Sequence, residues 1–78
     1  MEYPELARRS GIEGRVYVKF VLNKDGIPIE VKTIMGIGGH CDEKAELVVK
    51  RYKKWNPGIK RGQPVESKLI LPITFKLN

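Results

Sequence analysis

The chain has 78 residues, with 15 lysines and arginines, 9 acidic residues and a formal net charge of +6 at pH 7. This length makes one small domain, and a domain of this size buries only about 60% of its unfolded-chain surface. Since 41% of the residues are hydrophobic and 31% are charged, and no apolar run approaches the roughly 20 residues that span a bilayer, the composition indicates a soluble globular domain and excludes a membrane-spanning segment within it.

The basic residues are spread from Arg8 to Lys76 and form no block. We therefore interpret the charge as a basic surface in preference to a dedicated polyanion site. The single cysteine, Cys41, excludes an internal disulfide and leaves the redox compartment undecided. No apolar segment typical of a signal peptide follows Met1, so we expect any anchor or targeting segment to lie outside this chain.

The first half of the chain is predicted to form a short helix and a hairpin. Residues 4–10 are the predicted helix, because Pro4 suits a first helical position and Gly11 suits the position after a helix. Residues 15–22 alternate between apolar and polar side chains, as a half-buried strand does. The Asn-Lys-Asp-Gly run at 23–26 has turn chemistry, and the alternation resumes over residues 27–33.

A second helix is predicted after the glycine-rich residues 36–39. Asp42 can cap its N-terminus, and acidic residues lie early and basic residues late, as the helix dipole prefers. Apolar residues recur with helical spacing at Ala45, Val48, Val49 and Tyr52. Because Asn56 precedes a proline, the helix is predicted to end near Trp55, and residues 58–64 are predicted to form a loop.

The last predicted strand, residues 66–77, is an apolar alternation interrupted by Pro72. Proline has no amide hydrogen and cannot complete hydrogen-bond ladders on both sides, so a strand that contains one is expected at a sheet edge. An open edge can accept another strand.

The element order α-β-β-α-β predicts an α+β fold with a three-stranded antiparallel sheet in the order 2-1-3 and two helices on one face. The third strand then lies at an edge, which agrees with Pro72. The predicted core joins two sets of apolar side chains: Val16, Val18, Phe20, Ile29, Val31, Leu69, Leu71, Ile73 and Phe75 from the strands, and Val48, Val49, Tyr52 and Trp55 from the second helix.

Six short motifs carry a family resemblance. They are Tyr3-Pro4, Ile12-Glu13-Gly14, Asp25-Gly26, Trp55-x-Pro57-Gly58, Gly62-x-Pro64 and Pro72-x-x-Phe75. In this order and spacing, the chain resembles the periplasmic C-terminal domain of TonB energy transducers over essentially its whole length, so residues 1–78 are interpreted as a single domain of that kind. Family members have a membrane anchor and a proline-rich linker ahead of this domain, and their absence here suggests an excised domain.

The resemblance implies a function. It implies a periplasmic domain of an inner-membrane-anchored protein that binds the TonB box of outer-membrane transporters, with the docked peptide paired to the last strand. It also implies that the domain transmits energy derived from the proton gradient, through a proton-channel complex that the missing anchor contacts, for nutrient uptake. Binding of this kind takes affinity from backbone hydrogen bonds and specificity from side chains beside the edge.

The position of Pro72 predicts which residues meet the partner. Backbone groups of alternate residues in a strand point to opposite sides, so if the missing donor of Pro72 faces outward, its neighbours two and four residues away also face outward. The predicted partner-binding residues are Lys68, Ile70, Pro72, Thr74 and Lys76. The resemblance adds Tyr3 and Pro4 as a secondary contact, although Tyr3 packed as a lid over a helix start is at least as favoured an interpretation. Trp55 and Pro57 are interpreted as structural.

An enzyme, a cofactor and a metal site are not predicted. His40 and Cys41 adjoin Asp42, and a thiol at a helix N-terminus can have a lowered pKa, which is the only hint of a nucleophile. Residues adjacent in sequence do not normally face each other as a catalytic pair must, and the ligands are too few and too closely spaced for zinc.

Two alternative functions remain open. Residues 15–20 superficially resemble an RNA-binding motif, but both consensus glycines are absent, and Phe20 and Tyr17 fall on opposite faces of the strand. The same fold also occurs as a periplasmic module of BlaR-type sensor metallopeptidases, and fold alone does not choose between the two roles. Open edges also favour weak dimerisation.

Overall fold

A computed structural model of the chain describes residues 3–51 and 57–77. Its elements are α1 (Glu5–Ser10), β1 (Gly14–Leu22), β2 (Pro28–Met35), α2 (Cys41–Arg51), β3 (Gly58–Lys60), β4 (Gln63–Val65) and β5 (Ser67–Phe75). Neither described helix has the length and apolar content that a membrane crossing requires.

The main sheet has the strand order β2-β1-β5, and β1 is antiparallel to both of its neighbours. This confirms the predicted α+β fold and the predicted order 2-1-3, with the proline-bearing strand β5 at an edge. The hairpin between β1 and β2 turns at Asn23, whose side-chain oxygen accepts hydrogen bonds from the backbone N–H groups of Asp25 and Ile27 at 2.9 and 3.0 Å. That Asx-type turn fixes the register of the two strands.

The predicted loop at 58–64 is wrong, because β3 and β4 form a second, two-stranded antiparallel sheet in this region. The turn residues Arg61 and Gly62 have φ angles of 53° and 76°. Two consecutive positive φ angles in a two-residue hairpin loop are the mark of a type I′ turn, which matches the twist of the flanking strands. Pro64 is tolerated because a two-stranded sheet consists of edges alone.

The short helix α1 forms as predicted, with a shift of one residue at its start. Pro4 is the N-cap and not the first helical residue, because its ψ angle is 136°. Gly11 ends the helix in the left-handed conformation, with φ 67°. The backbone N–H of Ile12 then donates to the carbonyl of Ala7 at 2.9 Å, so the chain folds back over the last turn.

Helix α2 begins at Cys41, one residue before the predicted cap. Asp42 therefore lies inside the helix, and its Oδ1 accepts hydrogen bonds from the backbone N–H groups of Ile37 and Gly38 at 2.9 and 3.4 Å. The carboxylate therefore accepts hydrogen bonds from backbone N–H groups of the preceding loop and does not cap the N-terminus of the helix. This corrects the predicted role of Asp42. The predicted end of the helix near Trp55 and the predicted core positions of Tyr52 and Trp55 lie outside the described residues.

The core lies between the sheet and the helices. Its buried side chains are Ala7, Val16, Val18, Phe20, Leu22, Cys41, Ala45, Val49 and Phe75, with Val31, Leu71 and Ile73 packed partly buried against them. The predicted core positions of Ile29 and Leu69 are wrong, since each side chain is 37% exposed. A β-bulge explains Ile29: two residues of β2, Glu30 and Val31, lie opposite Phe20 of β1, so Ile29 turns to the face away from the helices.

Candidate functional site

The candidate site is the outer edge of β5. This strand pairs with β1 without a bulge, from Gly14 opposite Phe75 to Leu22 opposite Ser67, and Tyr17 lies opposite Pro72. Directly opposite residues of antiparallel strands either exchange both hydrogen bonds or none. Since Pro72 has no N–H to give, its pair with Tyr17 is of the second kind, and the carbonyl of Pro72 points away from β1.

The same alternation shows in which direction the backbone groups of the other β5 residues point. Lys68, Ile70 and Thr74 share the parity of Pro72, so their N–H and C=O groups also point away from β1. Within residues 3–51 and 57–77, no hydrogen bond to a side chain and no strand occupies this outer row. Leu69, Leu71, Ile73 and Phe75 bond inward to β1.

The opposite edge of the sheet, β2, is built differently. Its pairing with β1 is interrupted by two register shifts, one on each side of the pairs that Val18 and Lys19 make. Glu30, at one of these bulges, adopts a left-handed φ of 52°. In addition, the carboxylate of Glu46 accepts hydrogen bonds from the backbone N–H and the hydroxyl of Thr33, at 3.1 and 2.6 Å. Bulges and covered donors are the usual means by which an edge is closed to strand addition.

Lys76 lies one residue beyond the last residue of β5. The next backbone group, the N–H of Leu77, donates to Oε1 of Glu13 at 2.6 Å. This bond ties the chain after β5 to the loop ahead of β1. Sequence reasoning missed this role of Glu13, and a lone glutamate 64 residues from its partner carries no local signal for it.

Tyr3 and Pro4 lie at the Phe75 end of β5, on the helix side of the sheet. The Tyr3 ring meets the Phe75 ring edge to face, with centroids 5.7 Å apart and an angle of 87° between the ring planes. The Tyr3 hydroxyl donates to the carbonyl of Ile12. Desolvation, with smaller contributions from Cys41 and Glu13, raises the pKa of Tyr3. Tyr3 is thus packed in place by its own domain, while with Pro4 it also lines a groove against α2.

The hint of a reactive cysteine is wrong. Cys41 is fully buried in the core. Its pKa is raised, first by desolvation and then by the carboxylates of Asp42 and Glu43. His40 lies on the surface, with Nδ1 3.3 Å from a carboxylate oxygen of Glu43. Across the described part of the chain, no three His, Cys, Asp or Glu side chains are grouped closely enough to hold a metal ion.

The comparisons with known proteins agree with this architecture. The family model described as the Gram-negative bacterial TonB protein C-terminal matches residues 1–77. Protein TonB of Vibrio cholerae is 33% identical over 75 residues, which cover 96% of this chain and 31% of that protein. Protein tonB2 of Pseudomonas aeruginosa is 37% identical over 79 residues, which cover 99% of this chain and 28% of that protein.

The chain therefore spans less than a third of the length of either relative. No solved structure matches it. Because the family model covers nearly every residue and both relatives align over almost the whole chain, the resemblance inferred from the six motifs is confirmed. The chain belongs to the family of Gram-negative bacterial TonB protein C-terminal domains.

Proposed function

We propose that this domain is the periplasmic peptide-binding part of a TonB-type energy transducer. It docks the TonB box of an outer-membrane transporter by strand addition to β5 and passes on energy derived from the proton gradient for nutrient uptake. Membership of the TonB C-terminal family supports the transducer role. In this proposal an anchor elsewhere in the longer protein contacts the inner-membrane proton-channel complex.

The observation that carries the docking mechanism is the contrast between the two edges of the sheet. The β2 edge has two register shifts and a donor covered by Glu46, whereas β5 is regular over its whole length. Each backbone hydrogen bond that a docked strand makes contributes about 0.5–1.5 kcal/mol net. A short segment along β5 therefore gains useful affinity from its backbone alone, and β2 offers no comparable row.

Side chains beside β5 favour a partner with apolar residues at alternate positions. On the helix side, Leu71 and Ile73 are half-buried and Leu69 is partly exposed. On the other side, Ile70 is 56% exposed and is followed along the strand by Pro72 and Thr74. A strand laid against β5 places its side chains alternately beside Leu71 and Ile73 on one face and beside Ile70 and Pro72 on the other, which supplies the selectivity that backbone pairing lacks.

Chemical-shift mapping tests the proposal. The domain labelled with nitrogen-15 is titrated with a panel of synthetic TonB-box peptides from candidate transporters. The amide signals of Ile70 and Thr74, whose N–H groups face outward, should move most, and those of Leu71 and Ile73 should move less because they already bond to β1. A control peptide with the same side chains but N-methylated at alternate positions should bind far more weakly.

Movement concentrated on β2, or only on the groove at Tyr3, would contradict docking at β5. The free edge also makes weak self-pairing of the domain an expected competitor. The titration is therefore repeated at several protein concentrations, and the apparent affinity should fall as the concentration of the domain rises.

A further inference from the structure

Most described side chains on the face of the sheet away from the helices are exposed, although Val21 is only 6% exposed, and the residues of this face fall into cross-strand rows. Directly opposite residues of an antiparallel pair lie on the same face. The register gives Pro72, Tyr17 and Met35 as one row, Ile70, Lys19 and Lys32 as the next, and Lys68, Val21 and Ile29 as the third, with Arg15 opposite Thr74 at one end. We call this surface the open face.

Four cations lie on the open face: Arg15, Lys19, Lys32 and Lys68. All four are exposed, and none forms an ion pair within residues 3–51 and 57–77. Lys19 and Lys32 are direct cross-strand partners, and with Lys68 they line one cavity. Like charges placed directly opposite each other destabilise a sheet. Glu30 lines the same cavity but forms no ion pair in the described part of the chain.

Large apolar side chains are interleaved with these cations. Met35 is 61% exposed and Ile70 is 56% exposed, and Ile29 lies beyond them in the third row. Removal of these apolar side chains from water lowers the free energy, so contact with an apolar layer is favourable. A surface that combines unpaired cations with exposed aliphatic groups is complementary to a layer of phosphate headgroups over acyl chains.

We propose that the open face docks on an anionic phospholipid surface. The cations meet the lipid phosphates, and Met35 and Ile70 enter the boundary between headgroups and acyl chains. The bulge at Glu30 contributes by turning Ile29 to this face. Docking in this way uses side chains on the face of the sheet and leaves the outward backbone groups of β5 free. It shares the Ile70 side chain with the peptide docking proposed above but none of the backbone hydrogen bonds of that proposal.

Single-stranded RNA is the other anionic partner that this charge could attract, but the open face has too few aromatic side chains to bind it. Single-stranded RNA is held by rings on which bases stack. Among the described residues, Tyr17 is the one aromatic side chain on the open face, because Phe20 and Phe75 are buried in the core and Tyr3 packs against Phe75. Aliphatic groups between the cations suit lipid better than bases.

The experiment is flotation of the whole domain with vesicles. Wild-type protein should float with vesicles that contain phosphatidylglycerol and remain behind with vesicles of phosphatidylcholine alone, and high salt should release it. Each basic residue at an anionic surface changes partitioning about fivefold, so R15Q/K19Q/K32Q should lower it about a hundredfold. The control K24Q/K50Q/R51Q removes the same charge from exposed positions of the hairpin turn and α2 and should lower it much less.

Circular dichroism first establishes that both triple variants are folded, and peptide titration should give the same affinity for R15Q/K19Q/K32Q as for the wild type. The proposal is overturned if wild-type protein does not float with phosphatidylglycerol vesicles, or if both triple variants lose binding equally. It is also overturned if a single-stranded RNA oligonucleotide binds to the open face and the vesicles do not. The wild-type comparison of the two vesicle types stands even if a variant does not fold.

Discussion

The carboxylate of Glu13 accepts a hydrogen bond from the backbone N–H of Leu77, with 2.6 Å between oxygen and nitrogen, and this bond joins the segment before β1 to the segment after β5. Glu13 lies just before β1, and Leu77 lies two residues after β5. The bond therefore extends the contact between β1 and β5 past the last paired residue, Phe75. In the proposed docking, a strand that reaches this end of β5 meets a backbone that this bond ties to the segment before β1.

Replacement of Glu13 by alanine should loosen this end. A hydrogen bond to a charged group contributes about 1.5–3 kcal/mol, and exposure of this one reduces the expected loss in the free energy of unfolding to about 1 kcal/mol. Hydrogen exchange at the Leu77 amide should become faster. Glu13→Gln retains an oxygen acceptor and serves as the control, so equal exchange rates in the two variants would contradict the assigned role.

Proline at Thr74 should abolish peptide binding while the domain stays folded. Thr74 has its N–H on the outer side of β5, so Thr74→Pro removes a donor that only the partner uses and places a ring where the partner approaches. Loss of one backbone bond costs up to about 1.5 kcal/mol, roughly tenfold in affinity, before any steric effect. Calorimetric titration with a TonB-box peptide measures this, and Ile70→Pro should behave in the same way.

Two controls accompany the proline variants. Thr74→Val changes the side chain and keeps the N–H, so its affinity should be close to that of the wild type. Ile73→Pro removes a donor that faces β1 and should unfold or strongly destabilise the domain. Unchanged peptide affinity in Thr74→Pro would place the binding site somewhere other than the edge of β5.

Gly39 should tolerate alanine poorly. A Cβ at this position would lie 2.7 Å from Cδ1 of Ile12 and 3.0 Å from the Cβ of Ala7, and the φ angle is 62°. Gly38 has a φ of 78° and open space around it. Gly38→Ala should therefore cost about 1 kcal/mol for backbone strain alone.

Gly39→Ala should cost about 1–3 kcal/mol more than Gly38→Ala, because it adds overpacking against α1. Urea denaturation of both variants provides the comparison. If the two variants have the same stability, α1 does not approach this loop as closely as the structure shows.

Cys41 should resist alkylation by iodoacetamide at neutral pH in the native domain and react readily in denaturant. The thiol is buried, and its pKa is raised from the ordinary value of 9.0, so little thiolate is present or accessible. Rapid modification of the native protein would contradict this. Because the thiol is a core group and not a binding residue, peptide binding should be unchanged in Cys41→Ala.

The raised pKa of Cys41 also predicts how stability depends on pH. Above about pH 9 the unfolded chain loses the thiol proton while the folded chain keeps it, so the free energy of unfolding falls as the pH rises through this range. Below it the contribution is fully present. Chemical denaturation from about pH 8 to about pH 10 should show a steeper decline for the wild type than for Cys41→Ala. Parallel curves would show that Cys41 does not titrate differently on folding.

Local chemistry made most of the fold predictable from the sequence. Pro4 and Gly11 bound α1, and the alternation over residues 15–22 fixed the buried face of β1. Pro72 alone indicated an edge strand. The same proline, through its missing N–H, assigned the outward residues of the candidate site once the register was known.

Features that depend on long-range contacts or on rare backbone conformations were not predictable. The bulge at Glu30 requires a positive φ at a residue with no preference for it, and it moved Ile29 out of the predicted core. The hairpin of β3 and β4 depends on a similar conformation at Arg61. Asp42 had a recognisable capping side chain, but its partners lie in the loop before the helix, and sequence alone did not distinguish the two uses.

The closed β2 edge limits how far assembly through this sheet can proceed. A module with two receptive edges would add copies at both ends and grow into a fibre. Here, pairing of two copies through their β5 strands leaves only the two bulged β2 sides outermost, where growth stops. Two copies therefore make the largest continuous sheet that self-pairing at β5 allows, and such a dimer sequesters both receptive edges at once.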